Sequence, residues 1–201
     1  MRWQDEADIK QKYPIAIAAM RDYLRLLTLD PPTLLRRVRS VSFVDLVLSG
    51  ETFKGLISVL HNWSKESLVE WGAVSRKIRL IGITERTKTS PKTWRWQQHA
   101  NWTKILQRGS IKNVSIPDDL WRYLGDYQFK VTRSFTPARW PHPDSGRPSY
   151  SDEQLKALRL AYDLFEYGTT RERRLELATH MAREPAMKFK WFRNLALELR
   201  P

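Results

Sequence analysis

The stretch Thr136-Pro-Ala-Arg-Trp-Pro-His-Pro-Asp-Ser-Gly-Arg-Pro-Ser149 divides the chain. It holds four prolines and one glycine. Proline lacks the backbone N–H that helices and sheet ladders need, so neither a helix nor a central strand persists through such a stretch. We therefore predict an N-terminal domain of residues 1–136, a proline-rich linker of residues 137–149 and a C-terminal domain of residues 150–201.

The residues after this linker follow a helical period. Ser151 with Gln154 forms a capping box that starts a first helix, and Gly168 is its predicted end. A second helix is predicted over residues 170–183 and a third over 187–199, after an interruption at Pro185. The first helix carries an apolar stripe of Leu155, Leu158, Tyr162 and Phe165. The sequence thus predicts a three-helix domain.

Three segments of this domain resemble a homeodomain, in the family's order. Arg147-Pro-Ser-Tyr-Ser-Asp-Glu-Gln-Leu is similar to the arm and first helix. Thr170-Arg-Glu-Arg-Arg-Leu-Glu-Leu-Ala is similar to the second helix, and Lys190-Trp-Phe-Arg-Asn to the core of the recognition helix. The resemblance covers about a quarter of the chain. It implies a helix-turn-helix bundle that places its third helix in the DNA major groove.

The resemblance also implies individual DNA contacts. Asn194 falls on the asparagine that reads adenine, and Arg193 falls on a position that sets specificity. Lys190 falls on another position that faces the groove. Arg174 matches an arginine that contacts phosphate, and Arg147 matches the arm in the minor groove.

Other positions depart from the family's pattern. Trp191 and Phe192 fall on its buried anchors, but Lys188 and Arg183 stand where apolar residues are expected. The basic run that follows the asparagine is replaced by Leu195-Ala-Leu-Glu-Leu, which removes phosphate contacts. A protein-binding or dimer-dependent role and an ordinary three-helix bundle are therefore the alternatives for this domain.

The N-terminal domain is predicted to be largely helical with minor β structure, which makes the whole chain mainly α. Helices are expected over residues 13–29 and 92–108, and two more over 53–78, the second of them capped by Ser64. Residues 33–48 fit either a helix capped by Thr33 or a buried strand from Val41. Residues 127–135 alternate between apolar and polar side chains, which predicts a strand.

Positive charge is concentrated in the same domain. The 201 residues have a formal net charge of +13. Residues 76–112 hold ten basic side chains and one acid, Glu85. Cations beside aromatic rings are typical of surfaces that bind phosphates and stack bases, although solvated cations and core tryptophans give the same pattern. The candidates are Arg86, Lys88, Lys92, Trp94, Arg95, Trp96, Lys104 and Arg108.

Catalytic and metal-binding patterns do not occur in the sequence. There is no cysteine, and the four histidines lack metal-ligand spacing. Phosphate-binding glycine motifs and nucleophile elbows are likewise missing. The nearest grouping, Asp45, Glu51 and Lys54, matches no nuclease pattern. We expect no enzyme activity, no cofactor and no metal, and the longest apolar run is too short for a membrane span.

These observations favour a transcription regulator that binds DNA through the homeodomain-like region, located in the nucleus. The alternative is a cytoplasmic structural or RNA-associated protein that binds through residues 76–112. A third hypothesis is a protein-interaction scaffold. The expected partner is DNA. The alternatives are RNA, a protein partner or a second copy of the chain.

Overall fold

The computed structural model describes residues 6–130, 136–142 and 150–200. These residues form two compact units. Unit 1 contains the described residues up to Gln128 together with 136–142, and unit 2 contains Phe129, Lys130 and 150–200. The structure is mainly helical with a small sheet, and the sheet belongs to unit 1.

The sheet consists of three parallel strands in the order β1-β2-β3. They are β1 (Val41–Leu46), β2 (Ile78–Glu85) and β3 (Ile111–Ile116). In the register, Val41 pairs with Ile78 and Leu80 pairs with Ile111. The strand alternative for residues 41–48 is therefore confirmed. Because all strands run the same way, their carboxyl ends share one edge, which we call the carboxyl edge.

Three helices precede the sheet: α1 (Glu6–Lys12), α2 (Ala16–Leu26) and α3 (Pro31–Arg36). The cap of α3 is Asp30, whose carboxylate accepts the Thr33 N–H at 3.1 Å. Thr33 is therefore not the cap, because proline at both first helical positions moves the start of the helix forward.

The connection from β1 to β2 contains α4 (Glu51–Glu66) and α5 (Trp71–Ser75). The prediction that Ser64 caps a separate helix is wrong. Ser64 lies inside α4, fully buried, and its hydroxyl donates to the Val69 carbonyl at 2.8 Å. The apolar residues that follow α5 belong to β2 instead of a helix.

The connection from β2 to β3 contains two 3₁₀ turns, Trp96–His99 and Asn101–Ile105. The helix predicted over residues 92–108 is therefore wrong. Lys92 has a left-handed backbone with φ of 61°, which a right-handed helix cannot contain. We name residues 86–100 the carboxyl-edge loop, because they leave the carboxyl end of β2.

After β3 come α6 (Asp118–Arg122), a π-helical turn at Tyr123–Tyr127 and a 3₁₀ turn at Pro137–Arg139. The strand predicted over residues 127–135 is not found at 127–130, and 131–135 lie outside the described residues. The turn at Pro137–Arg139 contacts α2, and Trp140 is 6% exposed in the core of unit 1. Residues 137–142 of the predicted linker therefore pack on unit 1, whereas 143–149 are not described.

Unit 2 contains α7 (Asp152–Thr169), α8 (Arg171–Ala182) and α9 (Lys190–Glu198). The Ser151 cap is confirmed, since its hydroxyl accepts the Gln154 N–H at 3.3 Å. Among the described residues of this unit, the buried apolar ones are alanines: Ala157, Ala178 and Ala196. Trp191 is 65% exposed, so the burial expected for it is wrong.

In the part of the chain that the structure describes, no helix is both long enough and apolar enough to cross a membrane.

Candidate functional site

An open groove of about 830 Å³ lies at the carboxyl edge of unit 1. It is bordered by the loop between β1 and α4 and by the carboxyl-edge loop. Open parallel sheets bind ligands outside the carboxyl ends of the strands where the strand order reverses. The described strands follow one another in chain order, so the groove is a candidate because of its own lining. The lining residues include Ser49, Glu51, Lys54, Trp94, His99 and Trp102.

Gly50 lets the Trp96 ring pack directly against the backbone at the carboxyl edge. Gly50 has φ of 81°, and a Cβ atom there would lie 2.3 Å from the Trp96 ring. The Trp96 ring also packs 5.7 Å from that of Phe53, and its Nε1 donates to Asn113 Oδ1 at 3.0 Å. Trp96 is only 1% exposed, so its role is structural and a base in solvent cannot stack on it.

Trp94 closes the carboxyl-edge loop at two points. Its backbone N–H donates to the Glu85 carbonyl at 3.2 Å, which brings the two ends of residues 86–93 together. Its indole Nε1 donates to the Leu48 carbonyl at 2.7 Å, which ties this loop to the one after β1. The two loops that border the groove are thus held to each other.

Trp94 and His99 form an aromatic pair on the wall of the groove. Their ring centroids are 5.3 Å apart, and the interplanar angle is 17°. Trp94 remains 37% exposed, and His99 is exposed as well. A rigid aromatic face that is open to solvent can take a planar ring from a ligand.

The carboxyl-edge loop carries four exposed cations: Arg86, Lys88, Lys92 and Arg95. None of them forms an ion pair within the described residues, and the sequence has no acid between Glu85 and Asp118. Arg86 makes one long contact, to the Ser115 carbonyl at 3.4 Å. These cations belong to the same loop as the aromatic pair, and none of them is among the residues that line the groove.

Two predicted cations, Lys104 and Arg108, lie outside the carboxyl-edge loop. Arg108 comes three residues before β3, near the amino ends of the strands. Lys104 neighbours Ile105, whose carbonyl accepts from the indole Nε1 of Trp71 in α5 at 2.7 Å. Four of the predicted cations thus lie in the carboxyl-edge loop, whereas Lys104 lies in the second 3₁₀ turn and Arg108 lies just before β3.

Acidic groups lie inside the groove and next to it. Glu51 and Lys54 approach to 3.6 Å. Asp45, at the end of β1, lines a neighbouring cavity of about 180 Å³. Burial raises the pKa of the Asp45 carboxyl, although hydrogen bonds from Thr52 and the Leu46 backbone oppose the shift. Among the described residues, no group of three potential ligands could hold a metal ion.

The homeodomain-like candidates in unit 2 fall into two groups. Arg174 donates to the Glu198 carbonyl at 2.8 Å, and Arg193 donates to the carbonyls of Met187 and Lys188 at 2.9 and 3.0 Å. Both guanidinium groups therefore hold α9 in place. Lys190 and Asn194 are exposed on α9 and make no side-chain hydrogen bond among the described residues. Arg147 lies outside the described residues.

Comparisons with models of protein families, with curated proteins and with solved structures found no match to this chain.

Sequence reasoning missed Gly50, His99 and Asn113. The signal for Gly50 was its place just after an apolar run that fits a strand and just before a helical stripe, which is where a parallel sheet places a ligand-binding turn. That signal depended on choosing the strand for residues 41–48. His99 and Asn113 had no such signal. The partner of His99 is five residues away within an irregular loop, and Asn113 in β3 accepts from a tryptophan 17 residues earlier in that loop.

Proposed function

We propose that this protein binds single-stranded nucleic acid through the carboxyl-edge loop and the adjoining groove. Two observations carry the proposal: a solvent-open Trp94–His99 pair on the wall of the groove, and four exposed cations in the same loop that form no ion pair within the described residues. Both halves of a nucleotide then have a complementary partner on one surface.

The phosphates are the partners of the cations. Arg86, Lys88, Lys92 and Arg95 lie within ten residues and have no carboxylate competing for them in the described chain. Each phosphate contact releases counterions, so the affinity should fall steeply with salt. Acids such as Glu51 lie inside the groove. There they would repel phosphates and accept hydrogen bonds from the amino groups of bases, so we expect base edges and not phosphates to occupy the groove.

The bases are the partners of the aromatic pair. Stacking of a base on an aromatic ring contributes about 1–3 kcal/mol and requires an exposed ring face. In a duplex the faces of the bases are occupied by their neighbours, so a stacking surface selects unpaired strands. The groove volume of about 830 Å³ is in the range of sites that hold small planar ligands.

The test is fluorescence anisotropy with labelled RNA and DNA oligomers of about 12 nucleotides, single-stranded or duplex, at one salt concentration. We expect both single strands to bind at least about tenfold more tightly than the duplex. Trp94→Ala should weaken single-strand binding about 10- to 100-fold, which corresponds to the loss of one stacked base.

Two further variants make this test specific. Trp94→Phe keeps a ring but loses the hydrogen bond to Leu48, so it should retain binding within about threefold if stacking is the cause. Trp191→Ala removes an exposed tryptophan of unit 2 and should leave binding unchanged. Equally tight duplex binding that is insensitive to Trp94→Ala would refute the proposal.

A second candidate function is sequence-specific regulation of transcription in the nucleus, with α9 as the reading helix. It is supported by the exposed side chains of Lys190 and Asn194 on one helix, which are available to base edges. Because the two guanidinium groups of Arg174 and Arg193 already hold carbonyls of unit 2, fewer cations remain for phosphates.

This candidate is tested by selecting bound sequences from random duplex DNA. On the selected site, Asn194→Ala should lose about 1–3 kcal/mol of binding free energy and keep its helical content. Identical binding by the variant and the wild type would remove direct readout by α9.

A further inference from the structure

Helix α7 carries an apolar stripe that no described part of the chain covers. The stripe consists of Leu155, Leu158, Tyr162 and Phe165, which are 55%, 54%, 63% and 65% exposed. Every residue from 161 to 170 is exposed. Helix α7 contacts its own unit through a different face. That face packs on α8 and buries Ala157, which lies about 120° around the helix from the stripe.

The spacing of the stripe is that of a coiled-coil seam. Its members follow one another after three, four and three residues, as the a and d positions of a heptad do. Such a seam is self-complementary, because the knobs of one helix fit the holes of an identical one. This pattern favours a second α7 over a partner of different shape.

The exposed area of the stripe is large enough for an interface with a second copy of the chain. Four large side chains that are each more than half exposed present on the order of 500 Å² of surface per copy. Isolated monomers rarely leave larger contiguous apolar patches open. Pairing two copies would bury about 1,000 Å² in total, which is near the lower limit for a specific interface.

We infer that the protein forms a homodimer in which the α7 seams of two copies, Leu155, Leu158, Tyr162 and Phe165 from each, pack against one another. Interfaces this small are typical of weak, transient association, so we expect a reversible dimer with a dissociation constant on the order of micromolar. The inference is independent of nucleic-acid binding, because the carboxyl-edge loop belongs to unit 1.

Sedimentation velocity of the full chain between about 1 and 100 µM tests this, since that range brackets the expected constant. The wild type should shift from monomer to dimer. The double variant Leu158→Glu with Tyr162→Glu should remain monomeric throughout, because two like charges in the seam cannot be buried without partners.

The same helix offers a matched control. Leu164 and Tyr167 are 52% and 55% exposed and lie on the other side of α7 from the seam. Leu164→Glu with Tyr167→Glu makes the same chemical changes and should dimerise like the wild type. Circular dichroism shows whether each variant retains α7. Both variants should retain it, since all four positions are exposed in the single chain.

Thermal melts give a second readout. The melting temperature of the wild type should rise with protein concentration, because dimerisation stabilises the folded state by mass action, and that of the seam variant should not. A wild type that stays monomeric at about 100 µM, or two double variants that dimerise equally, would overturn the inference.

Discussion

Unit 1 and unit 2 use their large apolar residues in opposite ways. Unit 1 buries several of them around a parallel sheet: Phe53, Trp63 and Trp96 are 2%, 5% and 1% exposed, although others, such as Leu68, are exposed. Unit 2 buries alanines at its helix contacts and leaves Tyr162, Phe165 and Trp191 more than 60% exposed. Aromatic residues at helical spacing therefore mark a core in one part of this chain and an open surface in another.

The largest expected effect comes from truncating one tryptophan in each unit. Trp96→Ala should destabilise unit 1 by about 3–5 kcal/mol, because it leaves a cavity among packed side chains and an unpaired Asn113 amide oxygen. Trp191→Ala should cost less than about 1 kcal/mol, since the ring is mostly in water.

Hydrogen exchange resolved by peptide assigns each loss to its unit. If Trp191→Ala destabilised unit 2 as much as Trp96→Ala destabilises unit 1, the contrast between the units would be broken.

Two glycines should give effects of opposite sign. Gly50→Ala should destabilise unit 1 by about 2–4 kcal/mol, because φ of 81° is strained for alanine and the new Cβ would meet the Trp96 ring. Gly168→Ala, within α7 of unit 2, meets nothing within 4 Å. It should stabilise its helix by about 0.5–1 kcal/mol.

Urea denaturation of both variants, followed by circular dichroism, measures these changes. A destabilising Gly168→Ala would mean that α7 is packed where the structure leaves it open.

A smaller, pH-dependent effect is expected at Asp45. Burial raises the pKa of its carboxyl in the folded state, so its contribution to stability is present at low pH and is lost as the pH rises through that pKa. Asp45→Asn removes the buried charge and should raise the melting temperature by about 2 °C at pH 7.

The difference between the variant and the wild type should shrink below about pH 4, where an ordinary aspartate protonates. A difference that does not change with pH would show that Asp45 is not desolvated in the folded chain.

Local signals in the sequence predicted the parts of the fold that local interactions determine. The Ser151 cap and the helices of unit 2 follow from capping chemistry and helical period. The sheet depends on pairings between residues about 37 positions apart, such as Val41 with Ile78, and a single apolar run could not show which partner it would find.

The candidate site was predictable only in part, for the same reason. The cations and Trp94 could be recognised from composition. Trp96, however, has the same local context as Trp94, and only the fold decides that one is buried under Gly50 while the other faces the groove. Burial of an aromatic residue is a property of its distant neighbours.

In the proposed function, the carboxyl-edge loop binds the phosphates of a single strand. The most direct test of this binding compares the salt dependence of oligonucleotide binding for two triple variants. Lys88→Ala, Lys92→Ala and Arg95→Ala remove cations from the loop. Lys65→Ala, Arg76→Ala and Lys104→Ala remove the same charges elsewhere on unit 1, all from exposed positions.

The logarithm of the binding constant falls as the logarithm of the salt concentration rises. We predict that the loop variant makes this dependence shallower by about two units of slope, since each phosphate contact to a single strand contributes about 0.7. The matched variant should change the slope by less than about 0.7. Equal slopes for the two variants would contradict the account, because the positive charge of unit 1 would then act as a whole and the carboxyl-edge loop would have no special role.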